Sequence, residues 1–314
     1  MPDLKTLAQL VRAPNVFTAV SNILGAYLLT HEGLADWPTW TSLVASSACL
    51  YWAGMVLNDV YDVDRDTAER PFRPIPSGRV GVDDASRLGW GLLIAGVLFA
   101  AATSARLQSP TPVVVGVLLA VCVWLYDGLL KQTPIAPIAM GACRFLNVLL
   151  GFSPTATGVF DWHPMFWLIA SGVGVYTAGL TWFARNEAQA ESSRLRLTLS
   201  LLVMLGGIGL IGWFPAWFDS ETPAVAFPIK AEQMGMAWYV LWGLFGLITL
   251  RRAAAAIAVP EPMFVQAAVK QAIFSLVIYD AAICAAARGP IPYALIVLAL
   301  LIPMNLLGRW VYST

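Results

Sequence analysis

The stretch TPVVVGVLLAVCVWLYD, residues 111–127, decides the fold class, because sixteen uncharged and mostly apolar residues precede its final aspartate. As an α-helix, a stretch of this length extends about 26 Å, close to the hydrocarbon thickness of a bilayer, about 30 Å. It lacks the polar–apolar alternation of a membrane β-barrel strand. It therefore predicts a transmembrane helix, in which the backbone polar groups are hydrogen-bonded without water.

The same pattern recurs along the chain, so we predict an all-α polytopic membrane protein with nine or ten transmembrane helices. The count depends on the last two stretches, which only Arg288, Gly289 and Pro290 separate. We expect residues 1–314 to form a single domain, because no soluble domain or low-complexity segment interrupts the pattern. The other predicted spans are 14–30, 38–57, 87–104, 134–152, 164–184, 197–215, 235–253, 266–287 and 291–311.

The composition excludes a soluble protein. Hydrophobic residues make up 58% of the 314 residues and charged residues only 12%, whereas soluble domains are about 25% charged. The formal net charge is zero, so no basic field indicates a nucleic-acid partner. The four cysteines lie in apolar stretches without CxxC spacing, which predicts small buried hydrophobes rather than disulfides or a zinc site.

The distribution of positive charge predicts the orientation. The loops after the odd-numbered spans contain only Arg106, Lys230 and Arg288. The loops after the even-numbered spans are much richer in arginine and lysine, so we expect them and the N-terminus to face the cytoplasm, with the chain in the bacterial inner membrane. Their basic residues are Arg65, Arg70, Arg73, Arg79, Arg87, Lys131, Arg185, Arg194, Arg196, Arg251 and Arg252.

The segment NDVYDVDRD, residues 58–66, is the richest polar cluster and directly follows a predicted span. In a helix, Asn58, Asp62 and Asp66 are spaced i, i+4 and i+8 and share one face. Like charges on one face repel each other unless a cation offsets them. Oxygen ligands of this kind suit Mg²⁺, which often bridges carboxylates to a phosphate. The alternative interpretation is a solvated acidic loop beside the membrane.

The next segment, ERPFRPIPSGR at residues 69–79, carries three arginines in a loop whose prolines forbid a long helix. Arginine forks bind phosphate oxygens well. The basic residues alone could be ordinary cytoplasmic loop charge. Beside the aspartate cluster, however, they predict a combined metal and diphosphate site.

Two further polar sets follow later spans. Tyr126 and Lys131 lie in YDGLLK after the fourth span, and Arg144 and Asn147 share a face of the fifth. An ionisable residue such as Arg144 inside an apolar stretch usually faces a polar cavity, although a structural salt bridge is the alternative.

The second of these sets follows the sixth span. Glu187 and Glu191 form a carboxylate pair spaced i, i+4, a pattern that by itself is also common on solvated helices.

In these motifs the chain resembles the UbiA superfamily of intramembrane prenyltransferases. NDVYDVDRD is similar to the family's first aspartate motif, RPFRPIPSG to the stretch that follows it, and YDGLLK with CRFLNVLLG to its tyrosine–lysine segment. The similarity covers the chain through the sixth span. The segment TWFARNEA, residues 181–188, resembles the sequences of the divergent Ebo-operon branch of the superfamily.

The resemblance implies a helical bundle around a lipid-accessible cavity with cytoplasmic cap loops. It assigns one Mg²⁺ to Asn58, Asp62 and Asp66. It assigns the diphosphate to a set of basic residues, with Tyr126 and Asn147 as further substrate-binding residues. The catalytic residues that it implies are Asp62, Asp66, Lys131 and Arg144. That basic set is Arg73, Lys131 and Arg144.

The family's second motif, DxxxD, corresponds here to Glu187 and Glu191, which the resemblance makes ligands of a second Mg²⁺. The spacing is kept but the residue type is changed. The additional aspartate usual one turn earlier falls on Phe183.

The expected reaction is Mg²⁺-dependent transfer of a prenyl group from an allylic diphosphate of farnesyl or geranylgeranyl length, or longer. The acceptor would be a small aromatic compound, a quinone precursor or a polyol within the membrane. Two alternatives stay open. One is a terpene cyclase that ionises the same substrate without an acceptor, and the other is a non-catalytic membrane transport or assembly component.

Overall fold

The computed structural model describes residues 3–31, 33–156, 158–159, 161–185, 194–213, 231–288 and 291–311. Within these ranges the regular structure is entirely helical, as the hydropathy pattern predicts. The helices are α1 (Leu4–Leu10), α2 (Phe17–Thr30), α3 (Trp37–Tyr61), α4 (Val63–Glu69), α5 (Val82–Leu107), α6 (Thr111–Leu125), α7 (Ala136–Phe152), α8 (Pro164–Arg185), α9 (Arg194–Trp213), α10 (Ala231–Ala258), α11 (Pro262–Arg288), α12 (Ile291–Ala299) and α13 (Leu301–Trp310).

Nine helices in the described part of the chain are long and apolar enough to cross a membrane, counting α12 and α13 as one. The predicted span at 14–30 becomes α2, whose fourteen residues extend only about 21 Å. Twelve of those residues are buried, so α2 runs through the protein interior rather than along lipid. The described part of the chain therefore has nine candidate spans and one short internal helix, which packs against α3, α7, α11, α12 and α13.

The polar segments predicted to share one membrane face do lie together. Arg12, before α2, binds Asp59 at the end of α3. Arg185, at the end of α8, donates to the backbone oxygen of Thr133, before α7, at 2.7 Å. At the other end of the bundle, Arg106 binds Asp36 at 2.7 Å. These contacts show that the chain crosses the bundle between Arg12 and Asp36.

The last predicted span, 291–311, is a broken helix. Pro303 has no backbone N–H to donate to the carbonyl of Ala299, and its ring clashes with that carbonyl in a continuous helix. The chain accordingly breaks at Leu300, and α13 begins at Leu301.

Helix α2 packs against both α7 and α11. The contact with α11 is close because Gly25 has no side chain: a Cβ there would lie 3.1 Å from the Cβ of Asp280. The absence of this one carbon brings a buried carboxylate of α11 against the polar side chains of α2.

Candidate active site

The Asn58–Asp66 segment keeps its helical spacing across a helix junction. Helix α3 ends at Tyr61 and α4 begins at Val63, with Asp62 between them. The backbone N–H of Asp62 donates to the oxygen of Asn58 at 3.0 Å, and that of Asp66 to Asp62 at 2.8 Å. Asn58, Asp62 and Asp66 are all buried. The solvated-loop interpretation is therefore wrong for these three side chains.

Two predicted cations meet the cluster directly. Lys131 donates to the side-chain oxygen of Asn58 at 2.8 Å and forms an ion pair with Asp62. Arg73 is paired with Asp66 and, at 3.2 Å, with Asp59. The structure thus brings Arg73 and Lys131 onto the aspartate cluster, as the charge pattern predicts.

A π-helical turn at Tyr126–Leu130 delivers Lys131 to this place. The backbone N–H of Lys131 bonds to the oxygen of Tyr126, five residues back, at 2.8 Å. Such a turn inserts one residue into an α-helix and often occurs at functional sites. Here it buries Asp127, whose carboxylate accepts from the Asn58 amide at 3.4 Å.

Only one of the three loop arginines reaches the cluster. Arg73 is buried, whereas Arg70 is exposed. Arg79 instead donates to Gln9 and to the backbone oxygen of Phe72, both at 2.7 Å. The turn between Arg73 and Arg79 uses Gly78 at φ 74°, a left-handed conformation that glycine adopts without strain.

The sequence reasoning missed three members of the cluster. Asp59 binds both Arg73 and Arg12, and no spacing rule connects Arg12 with a residue 47 positions away. Asp127 could have been found from its position, because it is the first charged residue after the sixteen uncharged residues 111–126. With these additions, four aspartates face three cations.

A cavity of about 540 Å³, including its open mouth, lies between α2, α3, α6 and α7. Its walls are mostly apolar, with Tyr126 and Asp127 among its lining residues. Asp127 joins the cavity to the carboxylate cluster, because it also accepts from Asn58. The bundle therefore surrounds an apolar cavity that adjoins the carboxylate cluster.

Arg144 lines this cavity but does not touch the carboxylate cluster. Its guanidinium donates to Thr18 at 2.6 Å and to Asn22 at 3.2 Å, and lies 5.7 Å from the ring centroid of Tyr51. Tyr51 precedes Asn58 by seven residues, which places this level about 10 Å deeper along α3. The predicted basic set is thus divided between two levels.

Asn147 is buried, and both polar atoms of its amide already have protein partners. Its nitrogen donates to the oxygen of Ala19 at 3.0 Å, and its oxygen accepts from Ser47 at 2.6 Å. Its observed contacts tie α7 to α2 and α3. Asn147 also lines the cavity, and its predicted substrate contact stays a prediction.

Glu187 and Glu191, predicted to hold a second Mg²⁺, lie outside the described residues. Phe183, at the position of the family's additional aspartate, is buried and lines a separate small cavity between α8 and α11. An apolar side chain there supplies no metal ligand.

The chemistry of the first cluster fits Mg²⁺. Asn58, Asp59, Asp62, Asp66 and Asp127 offer oxygen donors alone, the kind that hard cations prefer. Across the described ranges, no three acidic, histidine or cysteine side chains are already arranged around a metal position, because lysine and arginine occupy the carboxylates. A metal bound here would take over the charge now balanced by Lys131 and Arg73.

Comparison with known proteins decides the family. The model of the UbiA prenyltransferase family matches residues 19–258, which is most of the chain. The protein belongs to the UbiA prenyltransferase family. This confirms the resemblance and extends it by two spans beyond the sixth.

Relatives with curated names include digeranylgeranylglyceryl phosphate synthases. That of Ignicoccus hospitalis is 36% identical over 131 residues, covering 41% of this chain and 40% of the relative. That of Methanoregula boonei is 28% identical over 200 residues, covering 62% and 64%. The alignments thus span less than two thirds of these relatives. The Ebo-operon branch stays a prediction.

Solved structures share the fold. A digeranylgeranylglyceryl phosphate synthase structure has a TM-score of 0.61 at 16% identity, covering 90% of this chain and 98% of the other. A UbiA homolog from Archaeoglobus fulgidus bound to DMAPP and Mg²⁺ has a TM-score of 0.60 at 12% identity, covering 86% and 98%. Both confirm the polytopic helical architecture.

Proposed function

We propose that this UbiA-family protein catalyses Mg²⁺-dependent transfer of a prenyl group from an allylic prenyl diphosphate to a small acceptor. The observation that carries the proposal is the cluster of four aspartates, buried beside a mostly apolar cavity and paired with Arg73 and Lys131. Support also comes from the Archaeoglobus homolog, which was solved with DMAPP and Mg²⁺.

The metal ligands in this proposal are Asn58, Asp62 and Asp66, with Asp59 and Asp127 beside them. Bound Mg²⁺ supplies neutralising charge to the diphosphate as its bond to the allylic carbon breaks. Glu187 and Glu191 would hold a second ion. Because carboxylates and diphosphate repel each other, the enzyme needs cations on both sides of the leaving group.

The chain's own cations supply the second side. Lys131 and Arg73 are bound to Asp62 and Asp66 in the free protein. With a metal held by these carboxylates, Lys131 and Arg73 would be released to bind the diphosphate oxygens, where they would stabilise the charge that develops during ionisation. Arg144, which lines the cavity, would bind the same diphosphate from the cavity side.

The cavity receives the reacting carbon chain. Its mostly apolar lining, with Leu50, Met55, Leu119 and Val123, excludes the water that would quench an allylic cation. Tyr126, which lines the cavity, would stabilise positive charge through its aromatic ring. The acceptor then attacks the allylic carbon, and its proton passes to a carboxylate or to the departing diphosphate.

We further propose that the acceptor is small and polar. The curated names of the relatives point to glyceryl phosphate compounds, so a polyol phosphate is the first acceptor to test, ahead of aromatic acids and quinone precursors. The chain acts as one domain in the bacterial inner membrane, with its N-terminus and carboxylate cluster on the cytoplasmic side, where its basic loops are expected.

The test is an assay of the purified protein with radiolabelled farnesyl and geranylgeranyl diphosphate, Mg²⁺ and a panel of acceptors. A prenylated product that requires both Mg²⁺ and an acceptor supports the proposal. A hydrocarbon formed without any acceptor would assign the chain as a terpene cyclase. Absence of diphosphate release under all conditions would favour the non-catalytic alternative.

A further inference from the structure

Asp280 lies in α11, beyond the residues that the family model matches. It is buried within a membrane-spanning helix, a position where ionisable residues are costly and usually functional. Among the described residues, no lysine or arginine forms an ion pair with it. Its hydrogen-bond donors are instead the neutral side chains of Ser21, at 2.6 Å, and Asn22, at 2.8 Å.

Asn22 connects this carboxylate to the cavity. Its amide nitrogen donates to Asp280, and its amide oxygen accepts from Arg144 at 3.2 Å and from Asn147 at 3.4 Å. An arginine has only donors and an ionised carboxylate has only acceptors. Only one orientation of the Asn22 amide therefore satisfies both neighbours, and it presents oxygen to Arg144.

Arg144 differs from the other cations of the site in having no carboxylate partner. Its guanidinium is held by Thr18, Asn22 and the face of Tyr51, all of them neutral. The carboxylate of Asp280, which interacts with this charge electrostatically, lies behind Asn22, so the guanidinium can bind a ligand anion in the cavity. Asn22 thus links the guanidinium to Asp280, beside the bond from Arg144 to Thr18.

We propose that Asp280 is a positioning residue, which fixes the Asn22 amide and thereby aims Arg144 at the anionic group of the substrate in the cavity. The ligand part of this inference rests on the proposed function. The positioning part concerns the protein alone. Without an acceptor at position 280, nothing holds the NH2 group of Asn22. The amide can then rotate so that its oxygen leaves the guanidinium, which moves from the cavity wall.

The variants separate positioning from packing. Asp280→Leu removes the acceptor, whereas Asp280→Asn keeps a side-chain oxygen that can accept from Asn22. Asn22→Leu breaks the same connection from α2 and serves if Asp280→Leu does not fold. Tyr279→Phe is the matched control, because it removes a buried polar atom from the neighbouring position of α11, where Tyr279 contacts Thr249 and not Arg144.

The kinetic measurement is a double-mutant cycle with Arg144→Gln, read as KM and kcat for geranylgeranyl diphosphate. Asp280→Leu should raise KM about tenfold, the loss expected for one hydrogen bond to a charged group. Asp280→Asn, which keeps an acceptor, should leave KM near the wild-type value. In the Arg144→Gln background, Asp280→Leu should change KM by less than about twofold, because coupled residues are non-additive. A full effect in that background would overturn the inference.

A second measurement does not require activity. Phenylglyoxal modifies arginine, and the rate of labelling at Arg144 can be followed by mass spectrometry of the full-length protein in detergent. Asp280→Leu and Asn22→Leu should change that rate, while Asp280→Asn and Tyr279→Phe should leave it unchanged. Equal rates in all variants would overturn the positioning role even if the wild type turns over no prenyl diphosphate, a result that would count against the proposed function instead.

Discussion

At the membrane face, three cations meet four aspartates between the ends of α3 and α6, whereas about 10 Å deeper Arg144 meets only neutral groups. Lys131 and Arg73 are bound to carboxylates. Arg144 is bound by a hydroxyl, an amide and an aromatic ring. The first region holds opposite charges in direct contact, and in the proposed function a metal and a diphosphate replace these contacts together. The second keeps a cation free of any ion pair for a ligand.

The largest effect should come from removing the buried acids of the face region. Asp62→Ala or Asp66→Ala should abolish Mg²⁺-dependent diphosphate release, because each removes a proposed metal ligand. Asp64→Ala is the matched control, since Asp64 lies on α4, like Asp66, and is exposed. Diphosphate release by purified protein is the measurement. Full activity in both ligand variants would contradict the metal assignment.

A smaller effect is expected from Asp127→Leu, which removes an acceptor between the two regions. Asp127 accepts from the amide of Asn58 and so orients the oxygen of Asn58. Losing such a supporting contact typically costs about 10- to 100-fold in metal affinity. The Mg²⁺ concentration for half-maximal activity should rise accordingly, and an unchanged requirement would show that Asp127 does not support the metal ligands.

Lys131→Met tests whether the face region stores exchangeable charge. Without metal, the variant leaves Asp62 buried beside a lost partner, which should lower the free energy of unfolding by about 1–3 kcal/mol. Mg²⁺ should then stabilise the variant more than the wild type, because the ion replaces the missing cation. Thermal unfolding in detergent, with EDTA or with Mg²⁺, measures both. Equal stabilisation of the two proteins by Mg²⁺ would count against exchange.

The smallest effect should come from the ion pair between Arg65 and Glu69. Arg65 Nε lies 3.1 Å from Glu69 Oε1, and both side chains are half exposed. Glu69→Ala should change the free energy of unfolding by less than about 0.5 kcal/mol. Its diphosphate release should equal that of the wild type. A loss comparable to Lys131→Met would mean that proximity to the cluster matters more than burial.

Local patterns predicted most of the fold, because hydropathy over about 20 residues reports directly on membrane burial. Each predicted span contains a helix in the structure. The face cluster was predictable for the same reason: Asn58, Asp62 and Asp66 are neighbours on one helical face, and their bonding survives the junction at Asp62.

What local patterns could not predict depends on packing between distant segments. Arg12 reaches Asp59 across 47 positions, and Asn22 reaches Asp280 across 258. Nothing in the spacing of these residues encodes either contact. The depth of Arg144 was missed because its charge suggested the same group as Lys131, whereas its place on α7 and its contact with Tyr51 set its level.

The close contact between Gly25 and Asp280 also has a consequence for biosynthesis. Helix α2 is short and carries Thr18, Ser21 and Asn22, so it is a weak signal for entry into the bilayer by itself. The acceptor that satisfies two of these side chains is made more than 250 residues later. Until the ribosome has released α11, Ser21 and Asn22 lack this acceptor, and α7 is the helix that bonds to Thr18 and Asn22. The bundle is therefore completed from its last third back to its first.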